Sequence, residues 1–207
     1  PVLTAVDRKA LHDPRIALHY TDGRIFVKRS SVRYDVIIID TPDPATAFLN
    51  RFYTVDFFKE LSGILSDRGL VIVGLSSAVS YVNAPFADYN GSLYRSLTHL
   101  FPRVMVVPGD RNYFFAGMRT GVFSDDPDEL ARRYRQRHIV SPHFSPELFT
   151  WLVQREKIDF MEAALKKHTG HGRVNSDLQP VTYYYNLVLW DMLSGKKGVL
   201  GFLRGLN

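Results

Sequence analysis

Two aspartates carry the most suggestive chemistry in this sequence. Asp40 and Asp43 stand three residues apart in Asp40-Thr41-Pro42-Asp43-Pro44, directly after the apolar run Tyr34 to Ile39. Two prolines restrict the backbone around them, so both carboxylates sit in a stiff loop. Such a pair can bind a cationic amine, and one member can orient and deprotonate it before nucleophilic attack. A plainer role also fits: Asp43-Pro44 begins a turn and Asp40 caps the following helix. A second acidic position, Asp22-Gly23, follows the alternating stretch Ile16 to Tyr20. A carboxylate there can accept a hydrogen bond from an adenine amino group, and the glycine lets backbone approach a ligand. A simple Asp-Gly turn is the alternative.

These residues need elements to hold them. The alternation of Ile16 to Tyr20 predicts a short strand, and Gly23 to Arg29 a short helix. The β-branched run Tyr34 to Ile39 predicts a strand buried on both faces. Helical spacing over Tyr53 to Leu65, with Thr54 as its cap, leads to a turn at Asp67-Arg68-Gly69 and a second buried strand, Leu70 to Leu75. A helix over Asn90 to Phe101 stops at Pro102. Strands Val104 to Val107 and Tyr113 to Met118 are joined through Pro108-Gly109-Asp110. This succession predicts an α/β sheet closed by an antiparallel pair at its edge. In parallel α/β sheets ligands sit at the carboxyl ends of strands, the position expected for Asp22, Asp40 and Asp43. Beyond Met118 the patterns are helical: Asp128 to Gln136, Pro146 to His168, and Val181 to Leu193, with a break at Gly170-His171-Gly172. The expected division is a core over residues 1–120 and a mainly helical extension over 121–207.

Composition narrows the function classes. The 207 residues are 45% hydrophobic and 23% charged, ordinary for a folded globular chain. There is no cysteine, which removes disulfides, thiolate metal sites and thiol nucleophiles. The formal net charge is +5, but the basic residues are dispersed. Their densest cluster, Arg132, Arg133, Arg135 and Arg137, is balanced by Asp125, Asp126, Asp128 and Glu129, as on a solvated helix face, so nucleic acid is not an expected partner. The seven histidines show no metal-ligand spacing. Ser76-Ser77 lacks the glycine frame of a nucleophile elbow. There is no run of about 20 apolar residues, so no segment here is expected to span a membrane. The chain opens at Pro1 and closes after the apolar, glycine-rich Gly198 to Leu203, so it is expected to be a piece of a longer protein.

Ile39-Asp40-Thr41-Pro42-Asp43-Pro44 resembles the aspartate-rich loop of the spermidine synthase (polyamine aminopropyltransferase) family, typically a hydrophobic strand followed by Asp-Ser-Ser-Asp-Pro. Upstream, Asp13-Pro14-Arg15-Ile16 to Asp22-Gly23 is similar to that family's Asp-Pro-Arg-Val, strand, Asp-Gly. Asp67-Arg68-Gly69-Leu70-Val71 stands where the family has Pro-Gly-Gly before its fifth strand. A narrower similarity, to a branch of the family fused to membrane helices, is carried by Pro42 to Thr54, Pro108 to Ala116 and Asn175 to Tyr184.

The resemblance implies a partial Rossmann-like sheet, of the type seen in S-adenosylmethionine-dependent methyltransferases, lacking its first strands. It implies decarboxylated S-adenosylmethionine as co-substrate and a polyamine or other small amine as acceptor. Asp40 would be the base, Asp43 would hold the amine, and Asp22, Gly23 and Thr41 would contact the nucleoside donor. The parent would be membrane-anchored with this piece at the cytoplasmic face, and missing strands would favour a homo-oligomer. The family's glycine-rich loop, ribose-holding acid and small N-terminal β-domain are not in this chain. Its tyrosine-bearing Pro-Thr-Tyr-Pro-Ser-Gly loop is replaced by Pro108-Gly109-Asp110-Arg111-Asn112. The fragment alone is therefore expected to be inactive. The alternatives are a non-catalytic domain binding a nucleoside or polyamine, and a methyltransferase using S-adenosylmethionine.

Overall fold

The apolar run Tyr34–Ile39 forms β1. It pairs in parallel with β2, Leu65–Ser76, in a computed structural model that describes residues 4–77, 84–168 and 173–193. Two further strands, β3 (Arg103–Val107) and β4 (Arg111–Gly117), complete a sheet of order β1-β2-β4-β3, with β4 antiparallel to both neighbours. The antiparallel pair therefore closes the sheet edge, as its tight Pro-Gly-Asp connection requires. The described chain divides into two units, residues 1–30 and 31–207.

In the larger unit, the sheet's core face comes from period-two alternation in β2, where Val71, Val73 and Leu75 are fully buried. Helix α4 (Val55–Ile64) follows the short α3 (Ala47–Asn50), and α5 spans Ala84–Thr98. Thr54 caps α4 as expected, its hydroxyl accepting from Phe57 N at 3.2 Å. Helix α5 begins earlier than its apolar spacing indicated, because Phe86, Ala87 and Tyr89 are also buried. Asp67-Arg68-Gly69 is absorbed into β2 as a bulge: Tyr34 pairs with Leu65 and Val36 with Leu70. Gly69 is needed there, since a Cβ would lie 2.9 Å from Tyr34 O.

Two strand expectations are corrected. β1 is not covered on both faces: Val36 is 50% and Ile38 65% exposed, and β1 is an edge of the described sheet. A run such as Val36 to Ile39 reports composition, and only a neighbouring strand on each side makes a strand central. The second correction lies in the smaller unit. Helices α1 (Ala5–Leu11) and α2 (Gly23–Arg29) form there, but Ile16 to Tyr20 is irregular and forms no strand. Alternation supplies the pleat, whereas a strand exists only through a ladder partner.

After the sheet come α6 (Pro127–Gln136), α7 (Phe149–Leu152), α8 (Arg155–His168) and α9 (Val181–Leu193). The helical pattern over Pro146 to His168 is interrupted at Val153 and Gln154. On α6, Glu129 pairs with Arg132 and Arg133, the solvated face its charges indicated. α8 packs on α5 and β3, and α9 on α5, burying Ile158, Met161 and Leu165. No helix among the described residues is long and apolar enough to cross a membrane. Gly170-His171-Gly172, Lys196-Lys197 and both chain ends lie outside the described residues.

Candidate functional site

The parallel pair fixes where the polar loop lies. β1 ends at Ile39 and β2 at Ser76, and β4 begins opposite Ser76 at Arg111. The loop after β1, Ser76 and Arg111 therefore share the carboxyl-terminal rim of β1 and β2, where such sheets place ligands.

Asp40 and Asp43 differ sharply in environment. Asp40 is exposed, with no hydrogen bond or ion pair among the described residues. It caps no helix: Thr46 caps α3, and Thr54 caps α4. Asp43 is fully committed. Its Oδ1 and Oδ2 accept from Ser76 N at 3.3 and 3.2 Å, Oδ2 accepts from the Tyr89 hydroxyl at 3.0 Å, and Arg111 Nη2 lies 3.1 Å from Oδ1. Asp43 thus ties the loop to the end of β2, to α5 and to the start of β4. Gly74 makes room for this: a Cβ there would stand 3.1 Å from Arg111 Nε.

Beneath the loop lies Tyr53, fully buried. Its hydroxyl is 3.0 Å from Pro42 O and 3.2 Å from Thr41 O, and it receives the Thr41 hydroxyl at 3.2 Å. Burial pushes the Tyr53 phenol up to about 12, against the hydrogen bond from Thr41, while the charge of Asp43 adds to the rise. Tyr89 is raised further, first by burial and then by Asp43. Both phenols stay protonated near neutral pH and serve as donors to the loop.

A buried polar cluster holds this arrangement from the far end of the chain. Asn175 Nδ2 donates to Tyr53 O at 2.8 Å and to Asn50 Oδ1 at 3.2 Å, while its own Oδ1 accepts from Thr182 N at 3.2 Å. Thr54 Oγ1 donates to Asp177 Oδ1 at 2.8 Å, and Asn186 Nδ2 donates to the Tyr89 hydroxyl at 3.1 Å. Two of the three stretches that carry the narrower resemblance, Pro42 to Thr54 and Asn175 to Tyr184, are thus bonded to each other.

In the smaller unit, Asp22 Oδ1 caps α2, accepting from Arg24 N at 3.0 Å and Ile25 N at 3.1 Å, and Gly23 is the first residue of that helix. The strand-end rationale for Asp22 is therefore replaced by a capping geometry. Two clefts, about 210 Å³ beside Thr21, Ile25 and Arg29 and about 630 Å³ beside Asp35, Arg68 and Arg132, include neither Asp40 nor Asp43. Reasoning from the sequence passed over Tyr53, Tyr89 and Arg111. Tyr53 and Arg111 stand inside the quoted motifs, which was the available signal, while Tyr89 had none.

Residues 2–107 match the family described as "Spermine/spermidine synthase domain". The "Polyamine aminopropyltransferase 2" of Bacillus anthracis is 38% identical over 72 residues, 35% of this chain and 20% of its own length. The "Polyamine aminopropyltransferase" of Saccharolobus islandicus is 27% identical over 133 residues, 62% of this chain and 43% of its own. Among solved structures, spermidine synthase from Thermotoga maritima aligns with a TM-score of 0.56 at 22% identity, over 78% of this chain and 54% of that one. A spermidine synthase in complex with the transition-state analogue AdoDATO aligns at 0.55 and 20% identity, over 78% and 53%. These last two likenesses show the shared fold. The chain spans less than half the length of these two curated relatives.

Proposed function

We propose that this chain, which belongs to the spermine/spermidine synthase family, is the amine-activating part of a protein that transfers an aminopropyl group from decarboxylated S-adenosylmethionine to an amine. The observation that carries this reading is Asp40: an exposed carboxylate, uncommitted among the described residues, at the strand rim beside a rigidly clamped partner loop. Its free lone pairs suit a base that accepts a proton from an incoming amine.

The reaction asks little covalent chemistry of the protein. The amine nitrogen attacks the carbon next to the donor's sulfonium, an N–C bond forms, the C–S bond breaks, and its electron pair stays on sulfur in methylthioadenosine. The proton lost by nitrogen goes to Asp40. The protein's contribution is orientation and exclusion of water. By resemblance Asp43 is assigned to the amine, and Asp22, Gly23 and Thr41 to the donor. We extend the proposal to the division of the chain. The sheet ends at Gly117 and every described element beyond it is helical, which supports a core over 1–120 and a helical extension over 121–207. Tyr184, Leu187 and Trp190 are exposed on α9, which supports a membrane-facing end of the complete protein at the cytoplasmic face. The open edge of β1 supports a homo-oligomer.

One observation favours a second reading, a non-catalytic domain: the carboxylate meant to hold the amine is already paired with Arg111. Incubating the complete protein with decarboxylated S-adenosylmethionine and a set of small amines separates the two. Release of methylthioadenosine dependent on the amine supports transfer, and binding without release supports the second reading. Tighter binding of S-adenosylhomocysteine than of methylthioadenosine would point instead to methyl transfer.

A further inference from the structure

We propose that Arg111 is a specificity-determining residue that selects an acceptor bearing a carboxylate as well as an amine, a short zwitterion, over a polycationic chain. This rests on the aminopropyl-transfer reading of the same rim.

The guanidinium has a fixed seat. Arg111 opens β4 directly opposite Ser76, so its backbone is fixed at the rim by the ladder. Its side chain lies over Gly74, where a Cβ would approach Nε to 3.1 Å and Nη2 to 3.4 Å. A Cβ at that position would require the guanidinium to shift by a few tenths of an ångström. One nitrogen, Nη2, meets Asp43 Oδ1 at 3.1 Å. The remaining N–H groups have no hydrogen-bond partner among the described residues, and the side chain is 34% exposed. A fork of donors anchored through one nitrogen to Asp43 therefore stands at the strand rim that also carries Asp40.

Charge and hydrogen-bond counting point the same way. Asp40 and Asp43 contribute two negative charges and Arg111 one positive charge. A diamine about to react has one neutral nitrogen, directed at Asp40, and one cationic nitrogen. That cation would need lone pairs of Asp43, which Ser76, Tyr89 and Arg111 already occupy. It would also stand against a fixed like charge. A carboxylate in its place meets a planar fork suited to bidentate pairing, which an ammonium cannot use. The buried Tyr89 and Asn186 behind Asp43 stop the clamp from yielding.

Isothermal calorimetry on the complete protein, with methylthioadenosine present, tests this with two probes of similar length, γ-aminobutyrate and putrescine. The expected result is γ-aminobutyrate binding at least ~10-fold tighter, with Arg111→Gln reversing the order by a similar factor. Putrescine binding as tightly or more tightly to the parent protein, no binding of either probe, or an order unchanged in Arg111→Gln would overturn the proposal. Should Arg111→Gln fail to fold, Arg111→Lys keeps the charge but loses the fork. It is expected to weaken γ-aminobutyrate by ~5-fold or more, and unchanged affinity would count against the assignment. Methylthioadenosine titrated alone reports on the transfer reading separately. Its failure to bind sinks that reading, while the ranking of the two probes still decides the role of Arg111.

Discussion

The side-chain amide of Asn175 donates to the backbone carbonyl of Tyr53 at 2.8 Å, linking residues 122 positions apart. The same amide bonds Asn50 Oδ1 and accepts from Thr182 N, and Asn175 is fully buried. These bonds reach the loop of Asp40 and Asp43 through Tyr53, whose hydroxyl lies 3.0 Å from Pro42 O.

Asn175→Ala therefore strips partners from Tyr53 O and Thr182 N at once. Buried groups left unpaired cost about 1–3 kcal/mol each, so a loss of about 2–4 kcal/mol is expected in urea denaturation. Amide exchange at Thr41 and Tyr53 should accelerate along with that at Thr182. A loss below about 0.5 kcal/mol would show that the cluster is not holding the two segments together.

Alkaline pH tests the burial of Tyr53. Its phenol is raised from 10.0 to about 12 in the folded state, chiefly by burial. A raised folded value means the stabilisation is fully present below pH about 10 and is lost as pH climbs through about 12. Relative to Tyr53→Phe, which cannot ionise, the parent should lose up to about 3 kcal/mol over that interval. Denaturation curves for both proteins across the alkaline range measure this. Parallel pH dependence would mean that Tyr53 ionises as freely folded as unfolded.

The edge of β1 makes a third prediction. Val36 and Ile38 are 50% and 65% exposed on a strand with an open edge in the described sheet. Such edges pair with other chains unless blocked. Light scattering on the 207-residue chain should show self-association that grows with concentration, and Ile38→Lys should reduce it. A clean monomer at high concentration would contradict this.

Much of this was readable in the sequence, and for physical reasons. β1 and α9 fell where their side-chain composition placed them. The Asp40 loop was legible because its chemistry is consecutive in the chain. What was not legible depends on partners far away in sequence. Ile16 to Tyr20 has a strand's alternation but no ladder, and β1 has an interior strand's composition but sits at an edge. The clamp on Asp43 is likewise assembled from Ser76, Tyr89 and Arg111, which no spacing rule connects. Arg111 appeared in the sequence both inside a stretch of the narrower resemblance and as part of a departure from the wider family's motif, and its contact with Asp43 gives that departure a chemical meaning.

The central claim is that Asp40 takes the proton, and Asp40→Asn in the complete protein tests it most directly. The substitution keeps the size and hydrogen-bonding capacity of the side chain and removes its proton affinity. Asp40 is exposed and caps neither α3 nor α4, so thermal stability should change by less than about 0.5 kcal/mol. With donor and accepted amine both saturating, the rate of methylthioadenosine release should fall by about 10²–10⁴-fold, the range for a positioned base. A rate within about twofold of the parent, in a protein that remains folded, would contradict the assignment of Asp40 as the base.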